Sequence, residues 1–195
     1  MTPTILGYDY GTARAARSPV TLDALRELEA TVGWTSTDDD AIALAGEVLA
    51  GQEEAMVDTW RARIGEHHHL ARWFFGPDGK PDETYKAAVK KRFVQWVRDN
   101  CARRRDQEWL DYQEEIGLRH TPAKKNKTEG AHTPDVVPLR HLLAFAGPAI
   151  LDAKPFLGKK GHSAADIERM HQAWAKSVLL TLALWSRPYV REDLW

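Results

Sequence analysis

From Val178 to Trp185 the chain reads VLLTLALW, apolar nearly all round with Thr181 its one interruption. A helix with such a surface needs cover on more than one side, so it either runs through the centre of the fold or pairs with another subunit. It is well short of the ~20 residues that a membrane-spanning helix requires. Ser163 with Asp166 makes a capping-box-like start to this final helix. In the helix before it, Leu139, Leu142, Leu143, Ala146, Ala149, Ile150 and Ala153 share one broad face, and Pro148 and Pro155 are expected to kink it. Phe145 lies off the centre of that face, where it can meet a flat ligand. No strand-period alternation of any length appears, nor any repeat, Gly-rich phosphate loop or paired-cysteine motif. No nucleophile motif supports Ser-His-Asp chemistry. The chain predicts an all-α fold.

Earlier segments carry the same helical period. Thr21 precedes a short helix that ends near Gly33. Thr35 to Asp40 offers hydroxyls and acids for the next helix start. Ile42, Ala45, Val48, Leu49 and Met56 follow at helical spacing, with Trp60 and Ile64 continuing the buried face. Gly51 marks a close helix crossing or a boundary between two helices. His67, His68 and His69 are adjacent, so their side chains diverge and suit a solvated inter-helix turn better than one metal ion. A helix from about Pro81 to Ala102 carries Tyr85, Val89, Phe93, Trp96 and Val97 on one face. Residues before Ser18 are mixed in character and read as an extended or loosely ordered arm.

Length and charge narrow the function classes. A chain of 195 residues is long enough to bury a full core. A net charge of −1 and a pI near 6.7 argue against a nucleic-acid or membrane-surface partner. Cys101 stands alone, and the N-terminus has no charged-then-apolar leader, so a reducing, cytoplasmic setting is expected.

The stretch most suggestive of chemistry is QEWLDYQEEIGLRHTPAKKNKT, Gln107 to Thr128. Trp109, Tyr112, Ile116 and His120 recur at helical spacing, and Pro122 is expected to stop the helix. Lys124, Lys125 and Lys127 open a polar loop that runs to Pro138; acids on either side dilute their charge, so they read as solvated. A histidine at the end of an apolar stripe can hold a buried ligand, and it can equally be a satisfied core or surface histidine.

A resemblance bears on that choice. DQEWLDYQEEIGLRH followed by KKNKT, DTW at Asp58 to Trp60, RFVQWVRDNC at Arg92 to Cys101, KPFLGKKGHS at Lys154 to Ser163, ERMHQAW at Glu168 to Trp174 and the closing ALWSRPYV fall in the order found in protoglobins. The chain resembles this branch of the globin superfamily, which is related to the sensor domain of globin-coupled sensors. The resemblance implies one globin domain over residues 1–195, with an arm at 1–18 and an extra N-terminal helix at 19–33. It implies haem b, held at the iron by His120 as the proximal ligand. Trp60, Val89, Phe93, Ile116, Leu142 and Phe145 are the candidates for the slot, with Phe74 and Tyr112 beside them. Arg92 is placed to reach a propionate, which its planar fork suits. It further implies a homodimer through the two C-terminal helices.

The implied function is reversible binding of oxygen, carbon monoxide or nitric oxide at a five-coordinate iron. A haem enzyme acting on peroxide, nitrite or nitric oxide, a gas sensor signalling through a partner, and a helical dimer without cofactor are the alternatives. Protoglobins usually place a tyrosine directly after the tryptophan of DTW; here the position is Arg61. A bare buried charge is expensive, so Arg61 is expected to swing outward or recruit a propionate, water or anion rather than touch bound gas directly.

Overall fold

The computed structural model describes residues 5–102 and 104–195. The described residues form helices joined by turns, with no β-strand; one isolated bridge pairs Phe75 with Pro81. Helix α1 spans Leu22–Thr31, capped by the Thr21 hydroxyl, which accepts from the Ala24 amide. Helices α2 (Ser36–Leu49) and α3 (Glu53–Glu66) part at Gly51, whose φ is +84°. Nothing approaches within 4 Å of where its Cβ would lie, so this glycine is a boundary and not a close crossing. His67 ends α3 and precedes the single turn α4 (His68–Ala71), with all three histidines exposed. Helix α5 (Glu83–Cys101) starts on the Asp82 cap and α6 (Gln107–Leu118) on the Asp106 cap. Helices α7 (Leu139–Leu151), α8 (Lys154–Leu157) and α9 (Ala164–Ser186) complete the chain.

The last of these is central. It packs against α2, α6 and α7. Met170, Ala173, Trp174 and Val178 on α9 join Ile42, Val48, Met56 and Trp60 in one buried cluster. The Trp174 ring stacks on Trp60 at 6.4 Å and meets Trp96 edge-on at 5.7 Å. Its indole N–H donates to the Ala149 carbonyl at 2.9 Å, which ties α7 to α9 without leaving a buried donor unmade. Leu180, Leu182 and Leu184 are also buried, whereas Leu179 is 47 % exposed. No helix among the described residues is long and apolar enough to cross a membrane.

Two expectations about local structure change. The arm is not loose where it is described, from residue 5 onward; residues 1–4 lie outside the described part. Asp111 and Glu115 on α6 are each only 3 % exposed. Buried carboxylates need donors, and the arm's backbone supplies them. The Ser18 amide donates to Asp111 and the Ala16 amide to Glu115, both at 2.9 Å. The Tyr8 hydroxyl donates to Asp99 at 2.9 Å, and the Tyr8 and Tyr10 rings meet Tyr112 edge-on. The second change concerns the prolines. Pro148 lies inside α7, but Pro155 sits in the first turn of α8, where its missing N–H and fixed φ cost nothing. The chain therefore breaks at 152–153 and restarts, and Leu143, expected on the buried face, is 50 % exposed.

Candidate functional site

A cavity of about 240 Å³ opens between α3 and α5 on one side and the end of α6, α7 and α9 on the other. Its walls are mainly aromatic and aliphatic. Val89 and Phe93 line it from α5, Tyr112 and Ile116 from α6, Leu142 and Phe145 from α7, and Phe74 from the short 3-10 turn after α4. Ala146 and Ala149 leave room along the α7 wall.

Trp60 is not in the wall. It is fully buried behind it, stacked on Phe93 at 5.1 Å and on Trp174. Helical spacing puts Trp60 and Arg61 on adjacent faces, and α3 turns the tryptophan into the core and the arginine towards the cavity. Arg61 accordingly lines the space, half-buried, and donates to the Lys86 carbonyl at 3.1 Å.

His120 lies just past the end of α6, not on its stripe. The helix ends at Leu118, before Pro122, and the His120 amide donates to Gly117 in the closing turn. The four-residue spacing still operates, because Nδ1 sits 2.8 Å from the Ile116 carbonyl. A carbonyl can only accept, so Nδ1 carries the proton and Nε2 keeps its lone pair. Trp185 stacks on the ring at 5.7 Å with 25° between planes. Gly117 permits this: a Cβ there would lie 3.2 Å from both the Trp185 backbone and the Pro188 ring. The backbone is held as firmly, since the His120 carbonyl accepts from the Tyr189 hydroxyl at 3.0 Å and the Val137 amide at 2.9 Å. Burial pushes the imidazole pKa down to about 4, against the pull of the Ile116 bond, and the nearby cations Lys125, Arg92 and Arg119 add to the shift. His120 is therefore neutral at physiological pH, the form that binds a metal.

Cations collect at one edge. Arg92 lines the cavity, with Nη1 2.5 Å from the Glu129 carboxylate and 2.9 Å from the Leu6 carbonyl. Arg119 donates to Glu115, to Asp9 at 2.9 Å and to the Gly7 carbonyl, so the arm covers this edge. Lys124 pairs with Glu115. Lys125 overturns the reading of the loop lysines as solvated: it is 5 % exposed. Its ammonium donates to Thr133 at 2.7 Å, the Trp73 carbonyl at 3.0 Å and the Asn126 side chain at 3.1 Å. The loop folds back on its own lysine, with Asn126 in the left-handed region at φ 71°, and burial pulls the amine down to about 8. Lys127 is exposed as expected.

This arrangement offers a neutral imidazole with a free Nε2, a mainly apolar cavity and a cluster of cations. Those are the requirements of haem: an axial nitrogen, cover for the macrocycle and partners for two carboxylates. The Protoglobin family matches residues 21–195. The chain belongs to the protoglobin family. Membership implies a haem cofactor and gas binding, and the all-α architecture agrees with it. No curated protein matches the chain. In this protoglobin the fold brings Val89, Phe93, Ile116, Leu142 and Phe145 to one cavity, as read from the sequence, and adds Trp185, Trp73 and Lys125, which were not. Trp185 had a usable signal, the quoted ALWSRPYV motif; Lys125 had none, since only the folded loop buries it.

Proposed function

We propose that this protoglobin binds haem b through His120 and takes oxygen, carbon monoxide or nitric oxide reversibly. The observation that carries the reading is the imidazole itself, neutral and oriented by the Ile116 carbonyl on the wall of an apolar cavity. Bound there, haem would supply the iron chemistry of gas binding. The chain's residues do the rest. The Nδ1–H bond fixes the tautomer and raises the basicity of Nε2. Val89, Phe93, Leu142 and Phe145 exclude water from both faces of the slot. Arg92 and Arg119 hold propionates, sharing their donors with Glu129 and the arm. The whole chain acts as one globin domain, with residues 1–18 as the arm and 19–33 as the extra helix. A visible spectrum of protein purified after expression with haem supply tests this. A Soret band that shifts on adding carbon monoxide to the reduced protein is expected; absence of any Soret band refutes it.

The same reading includes a homodimer through α7 and α9. Leu143, Leu151 and Leu179 on these two helices are 50, 67 and 47 % exposed, more apolar surface than these helices can otherwise satisfy. Sedimentation equilibrium is expected to give twice the chain mass for the parent and the chain mass for Leu179→Glu. A parent that sediments as a monomer at micromolar concentration removes the dimer.

A further inference from the structure

Five cationic side chains line the cavity, counting Arg and Lys: Arg61, Arg92, Arg119, Lys124 and Lys125. Four of them already have partners in the protein, including the two assigned above to propionates. Arg92 faces Glu129, Arg119 faces Asp9 and Glu115, and Lys124 faces Glu115. Among the described residues Lys125 pairs with no carboxylate, but its three ammonium hydrogens have three acceptors, Thr133, Trp73 and Asn126. Arg61 differs from all four. Among the described residues it forms no ion pair, and one neutral bond to the Lys86 carbonyl engages one of its five N–H groups. Its helical neighbours on the cavity side are apolar: Ile64 one turn on, and Val89 one turn beyond Lys86. A guanidinium with spare donors beside an apolar wall is stabilised by an anion and gains little from a neutral molecule.

We infer that Arg61 makes this cavity a subsite for small monovalent anions such as azide, fluoride and nitrite, drawing them to the haem in preference to neutral ligands. The inference rests on the haem reading above and deepens it by naming a ligand class. Its chemical logic is charge complementarity: an anion supplies the counter-charge that no carboxylate of this chain provides, and the planar fork suits a three-atom anion.

The test is a titration of the ferric holoprotein with azide at about pH 8 and constant ionic strength, followed by the Soret shift, with imidazole, mostly uncharged at that pH, as the neutral comparison. Hydrogen bonds to a charged group are worth enough that Arg61→Leu is expected to weaken azide binding about ten- to a hundredfold. The same variant should change imidazole binding by less than about threefold, and Arg61→Lys, which keeps charge without the fork, should fall between. Equal azide affinity in parent and Arg61→Leu overturns the inference, as does an equal loss for azide and imidazole. If Arg61→Leu loses its haem, Arg61→Gln carries the same comparison, since it removes the charge and keeps a donor for Lys86. A parent without a Soret band overturns the haem reading itself; a parent with one, whose azide affinity ignores position 61, overturns only the anion subsite.

Discussion

His120→Ala is expected to abolish haem retention while the far-ultraviolet circular dichroism keeps the helical signature of the parent. The two outcomes separate because the imidazole contributes little to the fold around it. Its ring lies on the cavity wall, and the surrounding chain is held by other bonds: the Val137 amide and Tyr189 hydroxyl both go to the His120 backbone carbonyl, which alanine keeps. What alanine removes is the nitrogen whose proton partner, Ile116, leaves Nε2 free. Haem then has only apolar burial to hold it. Several hundred Å² of porphyrin at about 25 cal/mol/Å² is worth several kcal/mol, enough for loose association but without an axial bond to orient it. Because the cofactor stabilises the folded state it binds, the variant should also melt below the parent holoprotein. The measurement is the ratio of Soret to protein absorbance after gel filtration. A ratio equal to the parent's means that another side chain holds the iron. Adding free imidazole to His120→Gly should restore part of the band, a result that a purely structural role for the residue does not produce.

Trp60→Ala is expected to cost about 3–5 kcal/mol of stability, the range for truncating a large aromatic side chain in a closed core. Trp60 is fully buried and touches three other aromatic rings, Phe93, Trp96 and Trp174. Removing it leaves a void where α3, α5 and α9 meet, and the surrounding rings are too rigid to close it. The Soret maximum of whatever haem-loaded variant remains folded should match the parent's, because the wall residue Phe93 is still present. Chemical denaturation of the holoprotein, with the spectrum recorded in parallel, checks both halves. A stability loss below about 1 kcal/mol places Trp60 outside the closed core, contrary to its packing. The expectation that Trp60 lines the slot came from a family resemblance and a helical stripe. Neither distinguishes the residue that touches a ligand from the residue that supports it.

Much of the candidate site was legible before any coordinates. Tyr112, Ile116 and His120 are four residues apart, and that spacing alone put an imidazole at the end of an apolar face. Val89 and Phe93 were readable in the same way on α5, and Leu142 and Phe145 on α7. The acceptor for His120 Nδ1 was not, although it turned out to be the carbonyl four residues back. A helix that continued past Leu118 would have used that carbonyl in its own ladder. In the closing turn the His120 amide goes to Gly117 instead, so the Ile116 carbonyl serves the Arg119 amide at 3.1 Å and the ring at 2.8 Å.

By itself, the sequence determined the helical fold, the caps at Thr21 and Ser163, and the apolar face that leads to His120. These follow from local rules, because a period of 3.6 residues and a side-chain oxygen at a helix start act within a turn or two of chain. Tertiary structure alone decided that Trp60 supports the wall, that Lys125 is buried, that the arm satisfies Asp111 and Glu115, and that Arg61, among the described residues, keeps spare donors on the cavity wall. Each of those depends on partners between eight and about a hundred positions away. Periodicity says which residues share a face; which surface that face meets is settled only when all the helices compete for the same core.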